Sequence, residues 1–169
     1  MLFRSPHKQD RPLTEAAHRV EMLRLATGGH PAFAVSTDEI DRGGVSYTVD
    51  TLARLQAAHP ADQLLLILGP DALADLPTWR EPATILDRAE IVAVEREGVD
   101  DVRAIVAAPQ LAALLGPERA RRLVEQRVTC PAIGIRASDL RAALRAGSSI
   151  RYRTPRAVEQ YIVAHGLYL

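Results

Sequence analysis

Two stretches of the chain combine residue types suited to binding a phosphorylated aromatic molecule. In the first, Gly69-Pro70-Asp71 follows five consecutive branched apolar residues, Leu64 to Leu68, and leads to Pro77-Thr78-Trp79-Arg80-Glu81. Gly69 lets the chain turn sharply and lets another group approach the backbone. A carboxylate such as Asp71 commonly accepts ribose hydroxyls, and the Trp79 indole offers a flat face to an aromatic ring. The second stretch runs from Ile133 through Ile135, Arg136 and Ser138 to Arg141. A hydroxyl, the free N–H groups of a helix start and a guanidinium converging there make a phosphate site. From Arg136 to Arg156 there are six arginines and one acidic residue, Asp139, so this end is locally basic. A solvated basic face is the plainer use of such a run.

Three smaller features accompany these. Ser46-Tyr47-Thr48 opens a helical pattern; its hydroxyls can cap the helix, or its free N–H groups can take an anion or a polar ligand. Arg96 and Gly98 follow the apolar run Ile91-Val92-Ala93-Val94. Lys8 sits in the polar loop Pro6-His7-Lys8-Gln9, where a solvated lysine is the alternative to a ligand contact.

The elements that must position these residues follow from periodicity and punctuation. Leu64–Leu68, bounded by His59-Pro60 and Gly69-Pro70, predicts a strand buried on both faces. Pro70 suits the first turn of a helix. A helix is expected from Thr14 as N-cap to Gly28-Gly29, carrying His18 as a surface or interface side chain. A short strand is expected at Phe33–Ser36 and a polar loop at Asp38–Gly44. A helix containing Val49, Leu52 and Leu55 comes next. Pro82–Leu86 reads as a helix, Ile91–Val94 as a strand, and Asp100–Gln126 as helical with breaks at Pro109 and Gly116-Pro117. Arg127–Cys130 and Ile133–Ile135 are short strand candidates, the latter passing into a helix that Gly147 ends. A last helix is capped by Thr154 and starts at Pro155. Strands alternating with helices give an α/β, doubly wound, mostly parallel sheet, with ligands at the carboxyl ends of the strands.

Composition sets outer bounds. At 169 residues, one domain spanning residues 6–169 is expected. Met1–Ser5 lead straight into a loop and read as a cloning or assembly scar. Lys+Arg and Asp+Glu are both 21, so no overall field favours a nucleic-acid polymer. The single cysteine, Cys130, suits a reducing compartment, and no apolar run is long enough to span a membrane. A cytoplasmic domain is expected. Five scattered histidines lack metal-ligand spacing, so no protein-bound metal is expected.

The order of these motifs resembles bacterial nicotinate-nucleotide adenylyltransferase, of the nucleotidylyltransferase superfamily with its Rossmann-like fold. The matching pieces are Pro6-His7-Lys8, Ser46-Tyr47-Thr48, Gly69-Pro70-Asp71, Pro77-Thr78-Trp79, Arg96, Ile135 to Arg141, and the ending from Ser149 to Tyr168. The resemblance implies attack of a phosphate oxygen of nicotinate mononucleotide on the α-phosphorus of ATP, with Mg²⁺ carried by the ATP phosphates. It implies that Lys8, Ser46, Tyr47, Thr48 and Trp79 bind the mononucleotide, Trp79 by stacking. Gly69, Asp71, Arg96, Ile135, Ser138 and Arg141 would bind ATP and its phosphates. Partners so implied are the two nucleotides, neither nucleic acid nor membrane, with a homo-oligomer allowed.

Two departures from the family pattern matter. Arg136 stands where the family usually has a small hydroxyl. The family's first strand and its histidine-bearing loop, Gly-x-Phe-Asp-Pro-x-His-x-Gly-His, have no counterpart in this sequence, so no catalytic residue is identified. The chain is therefore expected to be an N-terminally truncated enzyme, lacking the first strand and helix and turning over slowly or not at all. The rival readings are another small-substrate adenylyl- or cytidylyltransferase, or a non-catalytic nucleotide-binding fragment.

Overall fold

The structure, a computed structural model, describes residues 14–169. Residues 1–5 and the Pro6-His7-Lys8 motif lie outside the described residues. In chain order the elements are α1 (Ala16–Thr27), α2 (Asp38–Arg42), α3 (Thr48–Ala58), β1 (Leu65–Leu68), α4 (Pro70–Asp75), a 3-10 turn at Leu76–Thr78, α5 (Pro82–Arg88), β2 (Glu90–Arg96), α6 (Val102–Val106), α7 (Pro109–Glu125), β3 (Val128–Cys130), α8 (Ala137–Arg145) and α9 (Arg156–Ala164). They fall into two compact units: residues up to Ser46 together with Gly134–Leu169, and Tyr47–Ile133.

The Tyr47–Ile133 unit is built on a three-stranded sheet in the order β1-β2-β3. Both pairings are parallel, as the alternation of strands and helices requires. Leu65 pairs with Glu90 and Leu68 with Ala93, while Val94 pairs with Val128 and Arg96 with Cys130. Helices α4, α5, α6 and α7 all touch β2. Their apolar faces meet the sheet in one core, in which Leu73, Leu76, Ile85 and Val102 have no exposed surface. Pro70 occupies the first turn of α4 as expected, and Pro82 does the same in α5. Gly116 takes φ 68°, which kinks α7 just before Pro117; that left-handed backbone suits glycine.

Burial of β1 on both faces does not hold. Leu66 and Leu68 turn toward the core, but Leu65 is 57% and Ile67 66% exposed. Among the described residues the helix contacts gather on β2, and β1 lies at the edge of the three-stranded sheet. An apolar run records the residues' hydrophobicity, not how many layers cover them.

In the other unit, α1 packs on α9. Leu144, Ile150, Val158 and Ile162 form its core, joined by Met22, Leu25 and Leu140. His18 is half-buried and its Nδ1 lies 2.8 Å from the Tyr161 hydroxyl, which places it on the interface of these helices. Several local expectations are corrected here. Phe33–Ser36 is irregular, with Phe33 63% exposed, and has no ladder partner in the sheet. Asp38–Arg42 is a helical turn, not a loop: its acidic first turn suits the helix dipole, and Thr37 Oγ1 donates to Asp41 at 2.7 Å. Ile133–Ile135 is irregular and exposed and pairs with no strand among the described residues. Caps also differ. Neither Thr14 nor Thr154 is the N-cap residue: Glu15 and Pro155 hold those positions without side-chain caps.

Two ion pairs tie the strands of the sheet to their surroundings. Arg127, just before β3, donates to Glu95 of β2 at 2.7 Å. Arg96 grips Asp100 with Nε at 2.7 Å and Nη2 at 2.8 Å. The Arg127 hydrogen bond, then the Val102 backbone bond, hold the Glu95 carboxyl below its ordinary range. The Arg96 hydrogen bond lowers that of Asp100. A carboxyl lowered in the folded state binds its proton more tightly when unfolded, so its contribution is complete above the ordinary value and fades as pH falls below it. Melting followed from pH 7 down through about pH 4, the ordinary carboxylate range, should therefore show Glu95→Gln losing less stability on acidification than the parent. Parallel acid profiles for the two would contradict the assignment.

Candidate functional site

Because β1, β2 and β3 run parallel, their carboxyl ends share one side of the sheet, and Gly69, Asp71, Arg96 and Cys130 follow or occupy those ends. Gly69 is the N-cap position of α4, at φ −74° and ψ 169°. That is ordinary extended backbone, so the turn itself does not require glycine, contrary to expectation. A Cβ built at Gly69 meets nothing within 4 Å. What the missing side chain leaves is open room beside an exposed strand end. Asp71 is exposed in the first turn of α4.

Arg96 is half-buried. The hydrogen bond to Asp100, the Asp100 charge and, more weakly, the Asp71 charge hold its proton more firmly than usual. Two N–H donors on one edge of its guanidinium, Nε and Nη2, are already committed to Asp100. Sequence reasoning missed Asp100, whose place four residues beyond the arginine was the available signal.

Tyr47 is the N-cap position of α3, and Thr48 begins that helix. No hydroxyl caps it. Asp50 and Thr51 N–H both point to the Tyr47 carbonyl, and the N–H groups of the first turn are the usual place for a negative partner. Tyr47 and Trp79 are both half-buried and both pack against the unit's core. Each is thus anchored on one side with surface left over. Thr48 is buried. Arg80, which sequence reasoning named only as part of a stretch, places its guanidinium 4.7 Å from the centre of the Tyr47 ring. Its ion pairs with Asp50 at 4.0 Å and Glu81 at 3.5 Å are loose.

In the other unit, Ser46 is fully buried and its Oγ has no hydrogen-bond partner among the described residues. Ile135 is 41% exposed. Arg136 is the N-cap position of α8, Ser138 lies in its first turn, and Ser138 Oγ donates to Asp139 at 3.1 Å. Arg136, Arg141 and Arg145 are exposed and make no ion pair among the described residues. An α8 start with unpaired guanidinium groups is a place for a polyanion.

A pocket of about 360 Å³ lies at the opposite, amino ends of the strands, beside Leu64, Glu90 and Gln126. Its polar walls largely answer one another: Arg119 pairs with Asp87 at 3.0 Å, Gln63 with Glu90 at 2.9 Å, and Arg88 with Gln56 at 3.1 Å. Ligands of open parallel sheets bind beyond the carboxyl ends, and the chemistry-bearing residues of this sheet are there.

A three-stranded parallel sheet packed against helices defines an α/β protein. The cytidylyltransferase-like family model matches residues 3–143. The chain is 42% identical over 164 residues to a probable nicotinate-nucleotide adenylyltransferase of Thermomicrobium roseum, covering 96% of this chain and 72% of the relative. It is 45% identical over 163 residues to the one of a Roseiflexus species, covering 96% and 77%. Among solved structures, the nicotinic acid mononucleotide adenylyltransferase of Plasmodium falciparum complexed with NaAD superposes with a TM-score of 0.67 at 18% identity, over 95% of this chain and 77% of that one. The chain belongs to the nicotinate-nucleotide adenylyltransferase family.

The open room at Gly69 makes a clean test. A Gly69→Ala protein should melt no earlier than the parent, since alanine fits this backbone and gains about 0.4–1 kcal/mol through the unfolded chain. It should bind ATP roughly tenfold more weakly, because an added methyl in a close contact costs about 1–3 kcal/mol. Unchanged ATP affinity by calorimetry would show that no ligand approaches that backbone.

Proposed function

We propose that the protein transfers the adenylyl group of ATP to nicotinate mononucleotide, giving deamido-NAD and pyrophosphate. The observation that carries this reading is the pairing of two different anion-binding elements with family membership. One is the α3 start with Tyr47, Thr48 and Trp79, suited to a pyridine mononucleotide. The other is the α8 start with Ser138 and Arg141, suited to the phosphates of ATP. Gly69 and Asp71 would receive a nucleotide sugar, and the family resemblance assigns Arg96 to ATP and Lys8, outside the described residues, to a phosphate. The reaction asks the protein chiefly to align two nucleotides and to offset phosphate charge, more than to supply a nucleophile.

Among the described residues no cluster of three His, Cys, Asp or Glu could cage a metal. This donor set fits a Mg²⁺ that arrives on the ATP phosphates, since that ion usually keeps its waters and substrate oxygens. When bound it neutralises phosphate charge. The protein's own part is orientation: a half-buried indole fixed on one side by the core, and guanidinium groups with donors to spare. No helix among the described residues is long and apolar enough to cross a membrane.

Calorimetric titration with ATP–Mg²⁺ and with nicotinate mononucleotide, beside mass detection of deamido-NAD, tests the proposal. Both ligands should bind and product should form. Binding of neither would refute the reading. The two elements should also separate by mutation. Trp79→Ala should weaken mononucleotide binding by roughly 1–3 kcal/mol and ATP binding much less. Arg141→Ala should do the reverse, costing ATP about 1.5–3 kcal/mol for a lost charged hydrogen bond. Arg141→Lys should recover only part, lacking the planar fork. Equal losses of both ligands in either variant would return that residue to a structural role.

A further inference from the structure

We propose that the pocket at the amino ends of the strands is a second ligand site, built for a small aliphatic carboxylate and not for either nucleotide. It holds about 360 Å³ and is lined from α3, α5, α7, the start of β2 and the chain leading into β1. That volume falls at the lower end of the range for small-molecule sites. Its apolar lining is supplied by the buried side chains of Leu86, Ala89, Ile91, Leu115 and Leu123. No aromatic residue lines it among the described residues. It therefore offers contact to an aliphatic body and no face on which a ring could stack.

The charged lining is unevenly matched. Arg119 pairs with Asp87 at 3.0 Å, Glu90 accepts from Gln63 at 2.9 Å, and Asp62 lies 3.8 Å from His59. Each carboxylate thus has a partner of its own, while two guanidinium groups have no carboxylate. Arg122 is exposed and makes no side-chain hydrogen bond or ion pair among the described residues. Arg88 is half-buried. Its Nη1 donates to the Gln56 amide oxygen at 3.1 Å, and its Nε is shut off from solvent without an acceptor. A partly desolvated cation without a counter-charge is unfavourable, and an anion entering the pocket supplies that charge.

The sign and size of the anion follow from the whole lining. Arg88, Arg119 and Arg122 equal Asp62, Asp87 and Glu90 in number, so there is no net positive field to hold a phosphate dianion against three carboxylates. A monoanion suits such a wall. A carboxylate takes N–H bonds from a guanidinium with charge assistance, and the leucine and isoleucine side chains cover the rest of the molecule. This site and the Gly69 end occupy opposite ends of one sheet.

The test is titration of the isotope-labelled full chain, followed by amide NMR, with cyclohexanecarboxylate, its neutral amide cyclohexanecarboxamide, and cyclohexyl phosphate. The carboxylate should give saturable shifts at Leu64 and at residues 86–91 and 119–126. The amide should bind about tenfold more weakly, and the phosphate no more tightly than the carboxylate. Arg88→Gln and Arg122→Gln should each weaken the carboxylate about tenfold, as loss of a charged hydrogen bond implies, and leave ATP affinity within about threefold. Because Arg122 is exposed, its variant decides the matter even if Arg88→Gln fails to fold. Equal shifts from carboxylate and amide would overturn the proposal, as would tighter binding of the phosphate. So would carboxylate shifts that never saturate, that fall outside these residues, or that are unchanged in Arg122→Gln.

Discussion

β2 hydrogen-bonds to β1 along its first half and to β3 along its second, both times in parallel. This arrangement fixes the rest of the Tyr47–Ile133 unit. It forces each connection to cross back over the sheet, which is why helices lie between the strands and pack on β2. It also sends the ends of all three strands to one side, so that Gly69, Asp71, Arg96 and Cys130, scattered over sixty-odd residues of sequence, become neighbours of one sheet edge. Without a shared direction those side chains would have no common place. The Arg127–Glu95 and Arg96–Asp100 pairs lock the later half of β2 at that end.

Electrostatics then divides the arginines by role. Arg121 and Arg127, whose donors are matched to carboxylates at hydrogen-bond distance, serve the fold. Arg80 makes only loose ion pairs beside the Tyr47 ring, and Arg136, Arg141 and Arg145 make none among the described residues. A guanidinium cannot lose its proton at physiological pH, so an open one is either hydrated or waiting for an anion.

The strand and helix order was legible because Gly, Pro and apolar runs punctuate it directly: Gly69-Pro70, Pro82 and Gly116-Pro117 all fall where the elements start or bend. Other features were hidden for physical reasons. Phe33–Ser36 and Ile133–Ile135 have strand-like composition, but a strand exists only if a ladder partner is present, and composition does not reveal one. The exposed face of β1 depends on where helices settle. The unpaired Ser46 hydroxyl and the committed fork of Arg96 depend on packing and on a partner four residues away. Arg80 escaped notice because its meaning lies in a ring supplied by Tyr47, thirty-three positions earlier in the sequence.

Amide hydrogen exchange followed by mass spectrometry, with and without ATP–Mg²⁺ and nicotinate mononucleotide, addresses the central claim most directly: that ligands are held at the carboxyl ends of the sheet and at the α8 start. Slowed exchange should concentrate at Tyr47–Asp50, Gly69–Ala72, Thr78–Glu81 and Arg136–Arg141. Protection confined instead to Gln56, Gln63, Glu90 and Gln126, at the amino ends of the strands, would contradict the account.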